Sequence, residues 1–370
     1  MSPLPPPPSP GSLTGTGTGA SVGRVSASTE PVPTLVSAGE REALRRIFPR
    51  LPAASNALLG TGDDAAVLAA PDGRTVISTD LLIHGPDFRL AWSTPEDLGR
   101  KAAATNLADI AAMGATPTAL VVALAAPGST PLTELERFAD GVREACATLA
   151  PGVGVVGGDL SASPTLTVAV TVFGDLGGRA PVLRSGARPG DVLAYAGTLG
   201  RAAAGLELLF TSAVDAEGRP DASALPTLAA ERGALLAAQL APEPPIGLGV
   251  VANDAGATAM LDVSDGLLLD AARIATASGV ALDLAEASLA LDVDWIAREA
   301  PELAARALAL VLTGGEDHGL LATFPAGAVP DGFRIVGSVT GGEGVTVDGV
   351  SPDVLAPGWD PFAAWDGAAG

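Results

Sequence analysis

Thr94-Pro95-Glu96-Asp97 opens, and Asn106-Leu107-Ala108-Asp109-Ile110-Ala111-Ala112-Met113-Gly114 closes, the stretch that decides how this chain folds. Thr94 suits a helix N-cap, Pro95 the first helical position, and Asp97 the capping-box position three residues on. Gly114 suits the left-handed residue that ends a helix, so the spacing predicts one from Pro95 to Met113. Asn106 and Asp109 stand three apart and share a face of it. Before it, Thr75 to Thr79 reads as a short strand ending at Asp80. After it, Thr118 to Ala125 is an apolar, β-branched run that reads as another. A capped helix between two such runs is the unit of an α+β or mixed α/β protein.

The alternation continues outward. A helix from about Ala38 to Phe48 precedes this unit. An amphipathic helix from Glu134 to Leu149, a short strand from Val153 to Val156 and a strand from Leu166 to Phe173 follow it. From Gly177 to Arg188 the composition turns to Gly, Pro and Arg, which marks a domain boundary. Beyond lie a strand from Val192 to Ala196, several Ala/Leu helices, and a helix starting near Gly266. Strands are expected near Leu308 to Leu312, Leu320 to Phe324 and Arg334 to Val339. The organisation is therefore a disordered Pro/Gly/Ser/Thr-rich tail (1–34), an N-terminal α/β domain (35–178), a C-terminal α/β domain (179–362) and a short tail (363–370).

A length of 370 residues is comfortable for two domains. Hydrophobic residues make up 48% and aromatics only 4%, so Ala, Val and Leu must build the cores. The net charge of −21 argues against nucleic acid or an anionic membrane as a partner. Cys146 is the only cysteine; it excludes an intrachain disulfide, points to a cytoplasmic setting, and reads as a core thiol rather than a nucleophile. No run approaches 18 apolar residues, so no membrane span is expected, and the N-terminus lacks the apolar core of a signal peptide. With only His84 and His318, a serine-hydrolase triad is not expected and a histidine-rich zinc site is excluded. Gly152-Val153-Gly154-Val155-Val156-Gly157 fits a dinucleotide fingerprint in letters only, because its Val-rich run is itself the strand.

Six runs carry the chemistry: Gly62-Asp63-Asp64-Ala65, Ser78-Thr79-Asp80, Asn106-Leu107-Ala108-Asp109, Gly157-Gly158-Asp159, Asp262-Val263-Ser264-Asp265 and Gly314-Gly315-Glu316-Asp317. Carboxylates gathered in one place repel, by roughly 4 kcal/mol for two charges 4 Å apart at an effective dielectric near 20. Divalent cations relieve that repulsion, and hard oxygen donors suit Mg²⁺, which points to phosphate chemistry. Each run also has a plainer reading. Asp63 and Asp64 fit an ordinary turn, Asp109 a solvated helix residue, and Ser264 or Asp265 a helix cap. A helix start near Gly266 would itself suit a phosphate. Glu316 is expected at a strand end in a substrate-contacting loop, with His318 beside it in a structural role.

Taken together, these runs and Arg184-Ser185-Gly186-Ala187-Arg188-Pro189-Gly190-Asp191 resemble the thiamine-monophosphate kinase family of the aminoimidazole-ribonucleotide-synthetase-like superfamily. The likeness keeps order and spacing from about residue 38 to 362. It implies transfer of the γ-phosphate of ATP to thiamine monophosphate, giving thiamine diphosphate, with several Mg²⁺ ions and no covalent nucleophile. It implies that Asp64, Ser78, Thr79, Asp80, Asp109, Asp159, Asp262 and Asp265 coordinate the metal. Gly158, Asp159, Arg184 and Ser264 would hold ATP, and Glu316 and Trp359 would lie at the thiamine end. It implies a homodimer formed through the N-terminal domain. The chain departs from the family after Ser-Thr-Asp, where relatives carry a substrate-contacting His before a Phe. Here Asp87 precedes Phe88 and His84 lies three residues earlier, so Asp87 is expected to make that contact. Two alternatives stay open: another ATP-dependent synthase of the superfamily, or a nucleotide–Mg²⁺ binding protein without turnover.

Overall fold

The computed structural model describes residues 32–61 and 65–352. Residues 1–31 of the expected tail, Asp64 of the metal set and Trp359 of the substrate set lie outside them. The described residues from Pro33 to Pro352 pack as one compact unit. It begins with α1 (Leu35–Ala38), capped by Thr34, then α2 (Glu40–Ile47) and a hairpin of β1 (Ala57–Leu59) and β2 (Val67–Leu68).

A four-stranded sheet follows, built from β3 (Val76–Ile83), β4 (Thr116–Ala126), β5 (Gly154–Ala162) and β6 (Thr167–Asp175) in the order β3-β6-β4-β5. Helix α3 (Pro95–Ala112) joins β3 to β4, and α4 (Leu132–Leu149) joins β4 to its parallel neighbour β5. The expected capping box is present: Thr94 Oγ1 accepts from Asp97 N, and Gly114 takes φ 69°. Val168, Val170 and Val172 bury one face of the sheet under these helices. The other face leaves Ile77 and Leu81 more than half exposed.

The second half opens with β7 (Val192–Ala196), α5 (Arg201–Ser212), α6 (Leu225–Leu240) and α7 (Gly247–Asp254). It continues with β8 (Ala259–Val263), α8 (Leu267–Ser278), β9 (Ala281–Leu284), α9 (Ala290–Glu299) and α10 (Ala307–Thr313). It ends with β10 (Gly319–Phe324), β11 (Arg334–Thr340) and β12 (Gly344–Val347). The sheet order is β12-β9-β11-β7-β10-β8, antiparallel except for β12 on β9. All four strands of the first sheet precede residue 176, and all six of the second follow residue 191.

Alternation along β7 and β10 explains how the sheets meet. Leu193, Tyr195 and Leu321 face the helices of their own half. Ala194, Ala196, Leu320, Ala322 and Phe324 face the other way, into one core with Ile110 and Ala111 of α3. Helix α3 is thereby covered nearly all round, with 13 of its 18 residues buried, and this is why it is written in alanine rather than in an apolar stripe. Its contact with α4 is backbone to backbone: a Cβ on Gly141 would stand 2.1 Å from the Glu96 carbonyl oxygen, and one on Gly99 2.2 Å from that of Phe138. Gly141→Ala is therefore expected to destabilise the fold by about 1–3 kcal/mol, since α3 cannot retreat from its crowded seat. Urea denaturation measures it, and an unchanged midpoint would show that the helices separate freely.

Three expectations need correction. Leu308 to Leu312 is helical, part of α10, and not a strand. The strand expected to end at Asp80 continues to Ile83, because Leu81, Leu82 and Ile83 extend its ladder with β6. Glu316 follows α10 and precedes β10, so it sits at a helix-to-strand loop.

Candidate active site

Asp80 sits in the middle of β3, and the two-residue period of the strand sorts its neighbours. Ser78 and Asp80 face α3, where the Ser78 hydroxyl donates to Asp109 Oδ2 at 2.5 Å. Thr79 faces the opposite way and donates to the Val170 carbonyl at 2.9 Å. On α3, Lys101, Thr105 and Asp109 are spaced four apart and form one stripe along the helix.

The second half brings two loops to this stripe. Asp262, near the end of β8, is buried and its Oδ2 lies 3.1 Å from Nδ1 of buried His318. Neither Ser264 nor Asp265 caps α8. Instead Asp270, one turn inside the helix, accepts from the backbone N–H of Asp265 at 3.0 Å and of Gly266 at 3.2 Å. Arg273 then pairs with both Asp270 and Asp265, the latter at 2.6 Å. In the facing loop, Glu316 N donates to the Ser264 carbonyl and His318 N to that of Val263. Glu316 and His318 take φ of 72° and 52°, a left-handed conformation that non-glycine residues adopt where the surroundings impose it. Asp317 between them turns inward and accepts from Thr198 Oγ1 and Ala202 N at the start of α5.

These elements enclose a cleft of about 590 Å³ lined by Asp80, Asp87, Asp109, Asp262, Ser264, Asp265, Glu316 and His318. A second, more apolar pocket of about 260 Å³ adjoins it, sharing Asp87, Ser264 and Glu316 and walled by Trp92, Leu206 and Phe210. Burial, with the nearby charge of Asp262, pushes Asp109 up to about 7, and burial raises Asp80 as well. His318 moves the other way. Burial disfavours its charge, yet the hydrogen bond to Asp262 and the charge of Glu316 raise it to about 9, so it is an imidazolium at neutral pH. Glu316 is drawn below the usual range against its desolvation by the Lys101 ammonium, 2.6 Å away. The cleft thus holds several carboxylates that resist ionising together beside three cations, Lys101, Arg273 and His318. Such a site takes an anion through a hard cation and a positively charged group through its carboxylates.

Similarity to known proteins agrees with this geometry. Thiamine-monophosphate kinase of Mycobacterium tuberculosis (strain ATCC 25618 / H37Rv) is 46% identical over 342 residues, covering 92% of this chain and 94% of that protein. The chain belongs to the thiamine-monophosphate kinase family. The AIR synthase related protein, N-terminal domain, family matches residues 62–176. Among solved structures, thiamine-monophosphate kinase from Stenotrophomonas maltophilia K279a superposes with a TM-score of 0.72 at 33% identity, covering 83% of this chain and 96% of that one. AaThiL complexed with AMPPCP and TMP gives a TM-score of 0.67 at 31% identity, covering 80% and 90%.

Of the residues that the family resemblance marks, Asp80, Asp109, Asp262, Asp265, Ser264, Asp87 and Glu316 meet around the cleft. Ser78 backs it through Asp109, and the Thr79 side chain faces away. Gly158 and Asp159 lie on β5, at the far edge of the sheet from β3. Asp159 shares a row with Leu81 on the open face, where it accepts from the Ser161 hydroxyl. Arg184 is exposed, and its carbonyl accepts from Ser278 at the C-terminal end of α8. That helix is about 18 Å long, which sets Arg184 apart from the cleft at the other end. Sequence reasoning missed Lys101, Arg273 and Asp270 and took His318 as structural. One signal was available: Lys101 is the only lysine in the chain.

Proposed function

We propose that this chain is the ATP-dependent kinase that phosphorylates thiamine monophosphate to thiamine diphosphate. The observation that carries the reading is the meeting of Asp80, Asp109 and Asp262, drawn from three distant runs, beside a pocket bounded by Asp87 and Glu316. Family membership and the relative bound to AMPPCP, a methylene analogue of ATP, and TMP support it.

The donors fit Mg²⁺. They are carboxylate oxygens, hard ligands whose mutual repulsion a divalent cation would relieve. Among the described residues no cluster of three acids or histidines can hold an ion alone. Mg²⁺ keeps several waters and takes substrate phosphates, so one or two carboxylates per ion suffice. Asp80, Asp109 and Asp262 are the residues that would hold it, with Asp265 in a supporting place. When bound, the metal screens phosphate from phosphate and stabilises the charge that develops in transfer. His318 holds Asp262 in place by its ring N–H and offsets part of the acidic charge. Asp87 and Glu316 present carboxylates to the adjoining pocket, where the cationic thiazolium of thiamine monophosphate would sit between them and the Trp92 and Phe210 walls.

Homodimerisation through the first sheet is supported by its open face, with Ile77 and Leu81 exposed. The expected roles of Gly158, Asp159 and Arg184 in holding ATP call for a second copy to bring those positions to the cleft. Among the described residues no helix is long and apolar enough to cross a membrane, and Cys146 is a free, buried thiol; both support a cytoplasmic setting.

Incubation with ATP, Mg²⁺ and thiamine monophosphate is expected to yield thiamine diphosphate. Mg²⁺ with AMPPCP at about 100 times its Kd should add roughly 2.7 kcal/mol to the unfolding free energy. ATP consumed without thiamine diphosphate would overturn the acceptor. A melting temperature indifferent to Mg²⁺ plus AMPPCP would overturn the metal–nucleotide cleft itself.

A further inference from the structure

Lys101 is one of 21 basic residues, and the other 20 are arginines. It is also the basic side chain the fold buries most tightly at the site, with 4% of it exposed. Its ammonium donates to Glu316 Oε2 at 2.6 Å and to the Gln239 main-chain carbonyl at 3.3 Å. A third proton goes to the Gln239 amide oxygen at 3.3 Å, in the amide orientation that also lets its nitrogen donate to the Ala202 carbonyl. All three protons are therefore committed to protein, and none is left for a phosphate. The carboxylate it holds is different: Glu316 keeps 38% of its side chain open, at the wall shared by the apolar pocket and the acidic cleft. A compact ammonium on a stem packed in a helix fixes one carboxylate oxygen and leaves the other facing the cavity. A planar guanidinium would demand both.

We propose that Lys101 is a positioning residue for the acceptor, which fixes Glu316 as an anion facing the thiazolium of thiamine monophosphate. This rests on the function proposed above. Lys101 belongs to α3 and Glu316 to the α10–β10 loop, so the pair also ties the helix that carries Asp109 to the loop that carries His318. Without the ammonium, Glu316 has no cation within reach on its own loop other than His318, which Asp262 already engages.

The test is a cycle of Lys101→Met, Glu316→Gln and the double variant, with KM measured for each substrate. Lys101→Met is expected to raise KM for thiamine monophosphate by about tenfold or more, with KM for ATP nearly unchanged. In the Glu316→Gln background the same change is expected to add nothing, because the group it positions is already neutral. The double variant buries no unpaired charge, so it reports even where Lys101→Met folds poorly. With one lysine, ¹⁵N-lysine labelling gives a single side-chain ammonium resonance, expected to shift when thiamine monophosphate is added without ATP. Independent effects of the two substitutions, equal loss toward ATP, or an unmoved ammonium resonance would overturn the assignment. Wild-type protein that makes no thiamine diphosphate would overturn the function, and this inference with it.

Discussion

Asp109→Asn is expected to unfold later than the wild-type chain at pH 8, to unfold together with it at pH 4, and to lose turnover. Folded Asp109 titrates at about 7, raised by burial and by the charge of Asp262. An unfolded aspartate titrates near 3.8, so the folded chain holds this proton more tightly. Ionising Asp109 therefore costs stability progressively as pH rises from about 4 to 7, and the full cost remains above 7. Three pKa units correspond to about 4 kcal/mol, a ceiling because water reaches the cleft. The asparagine keeps an acceptor for the Ser78 hydroxyl and removes the charge, so it should recover part of that amount at pH 8 and nothing at pH 4. If Asp109 holds the metal as proposed, its loss should also cost several kcal/mol of charge stabilisation in the transition state, at least about a hundredfold in rate. Denaturant melts in EDTA at the two pH values, with kcat alongside, decide it. Equal stability at pH 8 would mean that the cleft carries no uncompensated charge.

What the sequence made legible, and what it hid, follows from the range of the interactions involved. The ends of α3 are written within four residues of themselves, in Thr94, Asp97 and Gly114, and they were read correctly. The acidic runs were legible for the same reason, since several carboxylates each beside glycine or a hydroxyl are unusual wherever they stand. Ala307 to Thr313 misled because a seven-residue apolar run carries no period that separates a buried strand from a buried helix. Strands β8, β9 and β12 escaped for a related reason, being four or five residues long, and β8 is buried on both faces.

The cations escaped for a different reason. Lys101 finds Glu316 far along the chain, Arg273 serves a turn it does not belong to, and His318 meets Asp262 only because β8 and β10 are neighbours. Apart from the i,i+3 pair of Asp270 and Arg273 on α8, those pairings are set by packing, and no spacing rule reports them. A carboxylate cluster needs positive counterparts, however, so the six runs implied that such residues existed. A lone lysine among twenty arginines was the place to look.

Asp87 carries the largest expected effect on substrate preference. Relatives are expected to place a histidine where this chain has Asp87, and the loop geometry favours the aspartate as its replacement. Asp87 lines both cavities, whereas His84 lines neither and rests its ring against Phe88. Burial lowers His84, which keeps its imidazole neutral, and raises Asp87. Asp87 also has a structural duty, since its Oδ2 accepts from Ile83 N at 2.7 Å and closes the turn. Alanine would remove both roles at once, so the informative variant is Asp87→Asn, which keeps an oxygen for Ile83 and discards the charge. Its KM for thiamine monophosphate is expected to rise by about ten- to a hundredfold, the worth of a hydrogen-bonded or paired charge at roughly 1.5–3 kcal/mol. KM for ATP and the melting temperature should stay near wild type. Asp87→Ala should add a loss of stability to the same KM effect, and His84→Ala should leave KM for thiamine monophosphate unchanged. If His84→Ala proves damaging and Asp87→Asn silent, the substrate reaches the loop from the other side, and the pocket walled by Trp92 and Phe210 is not where the thiazolium lies.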